Sequence, residues 1–427
     1  QNISGAFVAT ESVYNARSLP IRRVAGTAAP ELFEYDDFGN EVKYTLALAQ
    51  TPSPQNSRVR ERSTVFENRD DGVYRVITET TYNAAGTPLV RSTATLVSES
   101  TVFENKTVET DIRGNATVRQ TEFGEPGERL QKTQIAGTTN IAQSRTLDGF
   151  TVSQTDHAGT LTQFARTFKT GANAGVVLTT TDGRGNAASV EQNVLGQTLK
   201  TTDAAGNVAT TVYDAAGRVS QITDALGKTR CFAYDSHGNI VAEFGTGTQA
   251  VARVFDDANN LVSQKLFRVP GETIETDPRS RADGDETRWE YHAAIGLLLK
   301  KIYPDGNELN YNYDSQNRLA GTVYSREVSA GTPLTVSRAY NEKTGELTQI
   351  AYNDGTSEEN FVYNFLGQLT QISDASGTRE IVYNAYGETE SETLTGDNRT
   401  HAVAELRDAF GRGIGYTYSK AGSLQQT

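Results

Sequence analysis

The stretch Thr202-Asp203-Ala204-Ala205-Gly206-Asn207-Val208-Ala209-Thr210-Thr211-Val212-Tyr213-Asp214-Ala215-Ala216-Gly217 decides the fold. It opens and closes on one phrase: Thr or Tyr, then Asp, two small residues and Gly. Asp at a turn corner hydrogen-bonds backbone two residues on, and Gly at the fourth place accepts positive φ, so each phrase is a tight turn. Between them Asn207–Tyr213 is short and rich in β-branched residues, which makes it a strand rather than a helix. Lys228–Tyr234 repeats that pattern. The unit is turn, strand, turn, strand, and in series it builds an antiparallel meander.

The phrase recurs along the chain. It reads Tyr35-Asp36-Asp37-Phe38-Gly39, Thr181-Asp182-Gly183-Arg184-Gly185, Thr223-Asp224-Ala225-Leu226-Gly227 and Tyr234-Asp235-Ser236-His237-Gly238. With Asn at the corner it returns as Tyr363-Asn364-Phe365-Leu366-Gly367 and Tyr383-Asn384-Ala385-Tyr386-Gly387. The Thr-type corners Asp182, Asp203 and Asp224 are spaced by 21 residues, as are the Tyr-type corners Asp214 and Asp235. A fixed period of this size marks a repeat architecture. The structural positions expected from it are these corners with Asn364 and Asn384, the glycines Gly185, Gly206, Gly217, Gly227, Gly238, Gly367 and Gly387, and the strand-end residues Tyr213 and Tyr234.

The tandem phrase resembles the YD repeat of the Rhs family, shared with the B and C components of bacterial Tc toxin complexes and with teneurins. Thr287-Arg288-Trp289-Glu290-Tyr291 and Gly296 through Gly306, followed by Tyr311-Asn312-Tyr313-Asp314, are similar to the bacterial members. The likeness is clear over 111–427 and divergent over 1–110, within one repeat segment. It implies an all-β fold, a long antiparallel β-ribbon of tandem hairpins spiralling into a hollow shell that in toxin members encloses a polypeptide. Such proteins close the shell with Asp-Pro-x-Gly-Leu, where self-cleavage occurs. Here Asp277-Pro278-Arg279 lacks the Gly and Leu, and the C-terminus reads Tyr418-Ser419-Lys420-Ala421-Gly422, a further repeat. A chain that begins at Gln1 and contains no Met reads as part of something longer.

Composition agrees with a thin sheet. Hydrophobic residues make up 36% and mean hydropathy is −0.51, too polar for compact two-layer domains. The 19 Tyr and 16 Phe argue against disorder. Val219 and Ile222, Leu347 and Ile350, and Leu369 and Ile372 put apolar atoms on both faces. One strand per roughly ten residues gives on the order of 40 strands and, at ~4.8 Å each, a ribbon of about 190 Å. An open sheet of that width must curl.

The period breaks at Gln50–Ser57, near 268–287, and from Gly387 to Asp408, where Gly396-Asp397-Asn398 reads as a turn. Asp277, Asp283, Asp285 and Glu286 cluster in the second break as a weak candidate for calcium. Acidic hairpin loops are common, and the EF-hand order is absent. His157, His237 and His292 occupy or adjoin turn slots and read as solvated; His401 stands apart. Gly183-Arg184-Gly185 and Gly411-Arg412-Gly413 open no helix, so they are turns rather than phosphate cradles. No Gly-x-Ser-x-Gly, His-Glu-x-x-His or Cys-x-x-Cys occurs. No cofactor is implied, and the lone Cys231 makes no internal disulfide. A net charge of −13 speaks against nucleic acid, and no apolar run reaches membrane-spanning length. The reading favoured is a non-catalytic shell of a secreted bacterial toxin or toxin-complex subunit, its partner a polypeptide cargo or the rest of a longer protein. A cell-surface or extracellular scaffold binding proteins or glycans through Tyr-bearing strands stays open, as does a self-processing enzyme.

Overall fold

The computed structural model describes residues 9–98, 100, 102–135, 138–171, 174–268, 273–396, 399–420 and 423–426. Among these the chain forms 35 β-strands, from Thr10–Tyr14 to Ser423–Gln426, with a short 3-10 turn at Pro278–Ser280 and no α-helix. They join in a single sheet. Pairing is between chain neighbours and antiparallel: Thr210 faces Lys200 on the strand before and Thr223 on the strand after.

Hairpin turns therefore alternate between two margins, and the margins differ. At the Thr-type turns the ladder closes evenly, Thr202 facing Val208 and Thr223 facing Thr229. At the Tyr-type turns the second strand carries an extra residue. Val212 faces Gln221 but Tyr213 faces Val219, and Ala233 faces Ala242 but Tyr234 faces Ile240. The same slip follows Tyr35, Tyr291, Tyr340, Tyr363 and Tyr383. A bulge bends its strand and adds twist. The bulge recurs on one margin and is absent from most turns of the other.

The chain divides into two compact units. One holds residues 1–123, 131–141 and 312–427, the other 124–130 and 142–311. In the first, the longest strands carry a core of Tyr74, Val76, Ala94 and Leu96, flanked by Phe103 and Val108. Tyr74 faces Leu96 and Val76 faces Ala94, so alternate residues sink on one side. In the second, Ala250, Ala252, Phe267 and Ile274 pack with Phe244.

That second core explains the break near 268–287. The Gly245 amide donates to the Ile274 carbonyl at 2.8 Å, and Pro278 is fully buried, so the excursion lies back over the sheet. Its bounds differ from the sequence reading. Leu266 already pairs with Asp285, and Asp285–Tyr291 is a strand containing Glu286. Residues 269–272 lie outside the described residues. The first break is a loop between Glu41–Leu46 and Arg58–Arg69, pinned by buried Ser57, whose hydroxyl accepts from the Leu48 amide at 3.2 Å. The third is a long hairpin, Thr389–Gly396 paired with Arg399–Arg407. Its expected turn at 397–398 lies outside the described residues, as do Ala421 and Gly422.

Candidate functional site

Each repeated phrase folds as one device. At Asp214 the carboxylate Oδ1 accepts from the amides of Ala216 and Arg218, both at 2.9 Å, and Oδ2 accepts from Arg218 Nε at 2.8 Å. The backbone closes beneath it, Gly217 N–H to Asp214 C=O at 2.9 Å. Asp182, Asp203, Asp224 and Asp235 likewise take the amides two and four residues on. Asn364 and Asn384 do the same through Oδ1. Gly206, Gly217, Gly227 and Gly238 have φ of +86°, +79°, +75° and +92°, a region closed to most L-residues. Asn259 and Asn317 fill the glycine slot in two further turns at φ +69° and +61°. The sequence reading passed over both, although Asn is the residue best able to replace Gly there.

The fifth position also escaped that reading. Asn186, Asn207 and Asn239 return their side-chain amides to Oδ2 of Asp182, Asp203 and Asp235 at 2.8–2.9 Å. These amides, with the backbone N–H groups, hold the three carboxyls below the ordinary aspartate range. For Asp214 the backbone amide of Arg218 leads, followed by its guanidinium.

Strand-end tyrosines tie one turn to the next. The Tyr213 hydroxyl donates to the Thr198 carbonyl at 2.9 Å and that of Tyr234 to Val219 at 2.7 Å. Tyr35, Tyr291, Tyr340 and Tyr383 make the equivalent bond. The Arg218 guanidinium lies 4.4 Å from the Tyr234 ring centre and donates to the Asp235 carbonyl, while Gln197 donates to Gly217. The Tyr-type margin is thus a chain of side-chain links across successive turns.

In the first unit the two margins meet. Turns that follow even-numbered strands early in the chain contact Tyr-type turns that follow odd-numbered strands late in it, in step. Gln316 bonds Thr27, and the Ala29 amide donates to the Lys343 carbonyl at 2.7 Å. Arg58 pairs with Glu346 and donates to the Phe365 carbonyl at 2.9 Å. Asn83 donates to the Ala385 carbonyl at 2.8 Å. Arg113 pairs with Glu388, its guanidinium 3.9 Å from the Tyr386 ring centre. Sequence separations across these side-chain links run from 275 to 307 residues. Asn83 follows the sixth strand and Ala385 the thirty-first, so opposite margins are in contact. The seam is well covered, with 12% of the Arg113 side chain and 16% of the Glu346 side chain exposed. Glu388 is its hub, receiving Arg113 and the Asn384 amide with Arg407 at 3.7 Å.

The RHS Repeat family model matches residues 193–229, which span the turns at Asn193, Asp203, Asp214 and Asp224. The chain carries an RHS repeat. Solved structures are similar at low identity. A crystal structure of TcdB2-TccC3 has 11% identity and a TM-score of 0.32, covering 98% of this chain and 32% of that one. A Tc holotoxin pore of Photorhabdus luminescens has 10% identity and a TM-score of 0.31, covering 98% and 33%. The chain spans about a third of the length of these structures. No curated protein matches it.

The RHS stretch lies outside the seam and carries its turns, not a reactive cluster. The carboxylates of the acidic excursion are spread over separate partners. Asp277 pairs with Arg279 at 2.7 Å, Asp283 with Arg281 at 2.6 Å, Asp285 lies 3.9 Å from Arg268, and Glu286 accepts from Ser263 at 2.6 Å. Each carboxylate faces its own basic or hydroxyl partner, and the four do not converge. Among the described residues no group of three or more His, Cys, Asp or Glu could hold a metal ion. One histidine departs from the solvated reading: His157 Nε2 is buried without a hydrogen-bond partner. His401 sits on a strand, its Nδ1 2.8 Å from the Tyr418 hydroxyl.

Proposed function

We propose that this segment is a wall element of an RHS-type toxin or toxin-complex protein acting outside the cell that makes it, enclosing a polypeptide and contributing no chemistry of its own. The seam carries this reading. A sheet whose opposite margins are joined through Arg58, Asn83 and Arg113 ties its early strands to its late ones. Such a surface resists proteases and hides edges that would recruit foreign strands. The recurrence of the polar residues at turn corners, where their side chains hold backbone amides, also supports this reading.

Co-expression with a protease-labile polypeptide fused to the C-terminus tests it. The fusion partner is digested slowly beside the native segment and rapidly beside the double variant Arg58→Ala/Arg113→Ala. Equal digestion removes the container reading. A second reading, a glycan-binding scaffold, draws support from Arg166, whose guanidinium lies 4.8 Å from the Phe150 ring centre and 5.5 Å from that of the exposed Phe168. Binding to a glycan array that Phe168→Ala abolishes would favour it.

A further inference from the structure

The seam joins margins, and it leaves one strand flank open. In the first unit the strand Arg58–Arg69 outruns the strand before it, Glu41–Leu46. Lys43 opposite Glu61 is the outermost pair on that side, whereas pairing with Gly72–Tyr82 continues to Arg69 opposite Gly72. The Val73 amide donates to Ser98 Oγ at 3.0 Å and its carbonyl accepts from the Val97 amide at 2.9 Å, so Val73 turns away from the Arg58–Arg69 strand. In an antiparallel ladder its opposite, Asn68, then turns away from Val73. Phe66 and Thr64 precede Asn68 by two and four residues in an unshifted register and do the same. Their N–H and C=O groups line the open flank, beside exposed Val65 and Phe66.

The flank begins in a notch. A cavity of about 470 Å³ lies where the two strands part, lined by Glu41 and Val42 on one side and by Arg62, Thr64, Arg75 and Ile77 on the other. The acids around it are engaged. Asp36 accepts from the Phe38 and Asn40 amides and from the Asn40 side chain, and Glu41 pairs with Arg60 at 2.7 Å. The cations are not. Arg62 and Arg75 are exposed, and among the described residues neither guanidinium has a hydrogen bond or an ion pair.

We propose that this flank binds the free C-terminal end of another polypeptide as an added antiparallel strand of about five residues, its terminal carboxylate seated in the notch at Arg62. The direction follows from charge. An antiparallel strand continues the line of Glu41–Leu46 and brings a carboxylate to the two arginines, whereas a parallel strand would bring its N-terminal ammonium there, against like charge. With the terminal residue opposite Thr64, a carboxylate oxygen accepts from the Thr64 amide, and the residues two and four before it pair with Phe66 and Asn68. The terminal side chain then lies on the face shared by Thr64 and Ile77, which oppose each other across the hairpin, so an apolar residue suits that place. A guanidinium beside a backbone N–H holds a carboxylate through charge-assisted hydrogen bonds. The inference stands on an open flank of one unit and not on enclosure, so the two readings fail separately.

The probe is the peptide Thr-Val-Thr-Val-Leu, labelled with fluorescein at its N-terminus and free at its C-terminus. It is titrated into the intact 427-residue chain and followed by fluorescence anisotropy. Saturable binding is expected, about tenfold weaker for the same peptide ending in an amide and for Arg62→Ala, and intermediate for Arg62→Lys. Thr64→Pro removes the outward N–H at an open edge, where proline is tolerated, and should weaken binding by a similar factor. Arg62 and Thr64 are exposed, and far-ultraviolet circular dichroism checks that each variant folds. Equal affinity for acid and amide, equal binding to wild type and Arg62→Ala, or no binding up to ~1 mM peptide overturns the proposal. So does self-association without peptide in sedimentation that Thr64→Pro abolishes, which would make a second copy the occupant.

Discussion

Removing Arg113 tests the seam most directly. Its guanidinium forms a charge-assisted bond to Glu388 and stacks on Tyr386, with 12% and 29% of the paired side chains exposed. A charged hydrogen bond contributes ~1.5–3 kcal/mol and a partly desolvated cation–π contact ~0.5–2 kcal/mol. Glu388 keeps the Asn384 amide and the neighbouring Arg407, so it is not left bare. The loss therefore stays below the ~3–5 kcal/mol of stripping one partner from a buried pair. Arg113→Ala should cost about 3 kcal/mol in urea denaturation of the intact chain. Because Glu388→Gln removes the same interaction, the double variant should fall short of additivity by about 1–2 kcal/mol. A single-variant loss under ~0.5 kcal/mol, or strict additivity, would show that the margins touch without holding each other.

Three further outcomes follow from the turns and strand ends. Gly217→Val forces a β-branched residue to φ +79° and brings its Cβ 3.1 Å from Gln197 Nε2, so thermal denaturation should register a loss of roughly 1–3 kcal/mol. Tyr234→Phe removes the bond to the Val219 carbonyl and should cost about 1 kcal/mol; no change would mean the hydroxyl is equally well served by water. The pH profile should be bounded on both sides. Lowered carboxyls at Asp182, Asp203, Asp214 and Asp235 add stability that is present above the unfolded value near pH ~3.9 and lost as pH falls through the folded value. Tyr44, pushed up to about 12 by burial and by its bond to Glu31, adds stability that is present below its unfolded value near pH ~10 and lost as pH rises toward the folded one. A urea midpoint that is flat from pH 2 to 11 would refute both assignments.

The turns were legible because their cause is local. An Asp whose carboxylate binds amides two and four residues on must be followed by that spacing, and Gly must stand where φ is positive. The strands between them followed from length and β-branching. The seam was not legible. Arg58, Arg113, Glu346 and Glu388 look in sequence like any solvated charges, and their partners lie 288 and 275 residues away. Nothing within a 21-residue period encodes so distant a meeting. The tyrosines were half legible. Their place at strand ends was plain, but their hydroxyl bonds to the neighbouring strand's first carbonyl were not, because they accompany the bulge, which shifts register without changing composition.

The unlike margins also give the ribbon a direction of growth. A surface that mates only with its opposite is head-to-tail, and head-to-tail contacts either close into a ring or, where the rotation does not close, continue as a screw until something that is not a repeat covers the last free margin. Polarity, rather than affinity, then decides what can be added and where. A protein built this way needs a terminator as much as it needs repeats, and the seam's chemistry specifies it: an element that satisfies Thr-type turns on one side while offering no aromatic and acidic turn on the other.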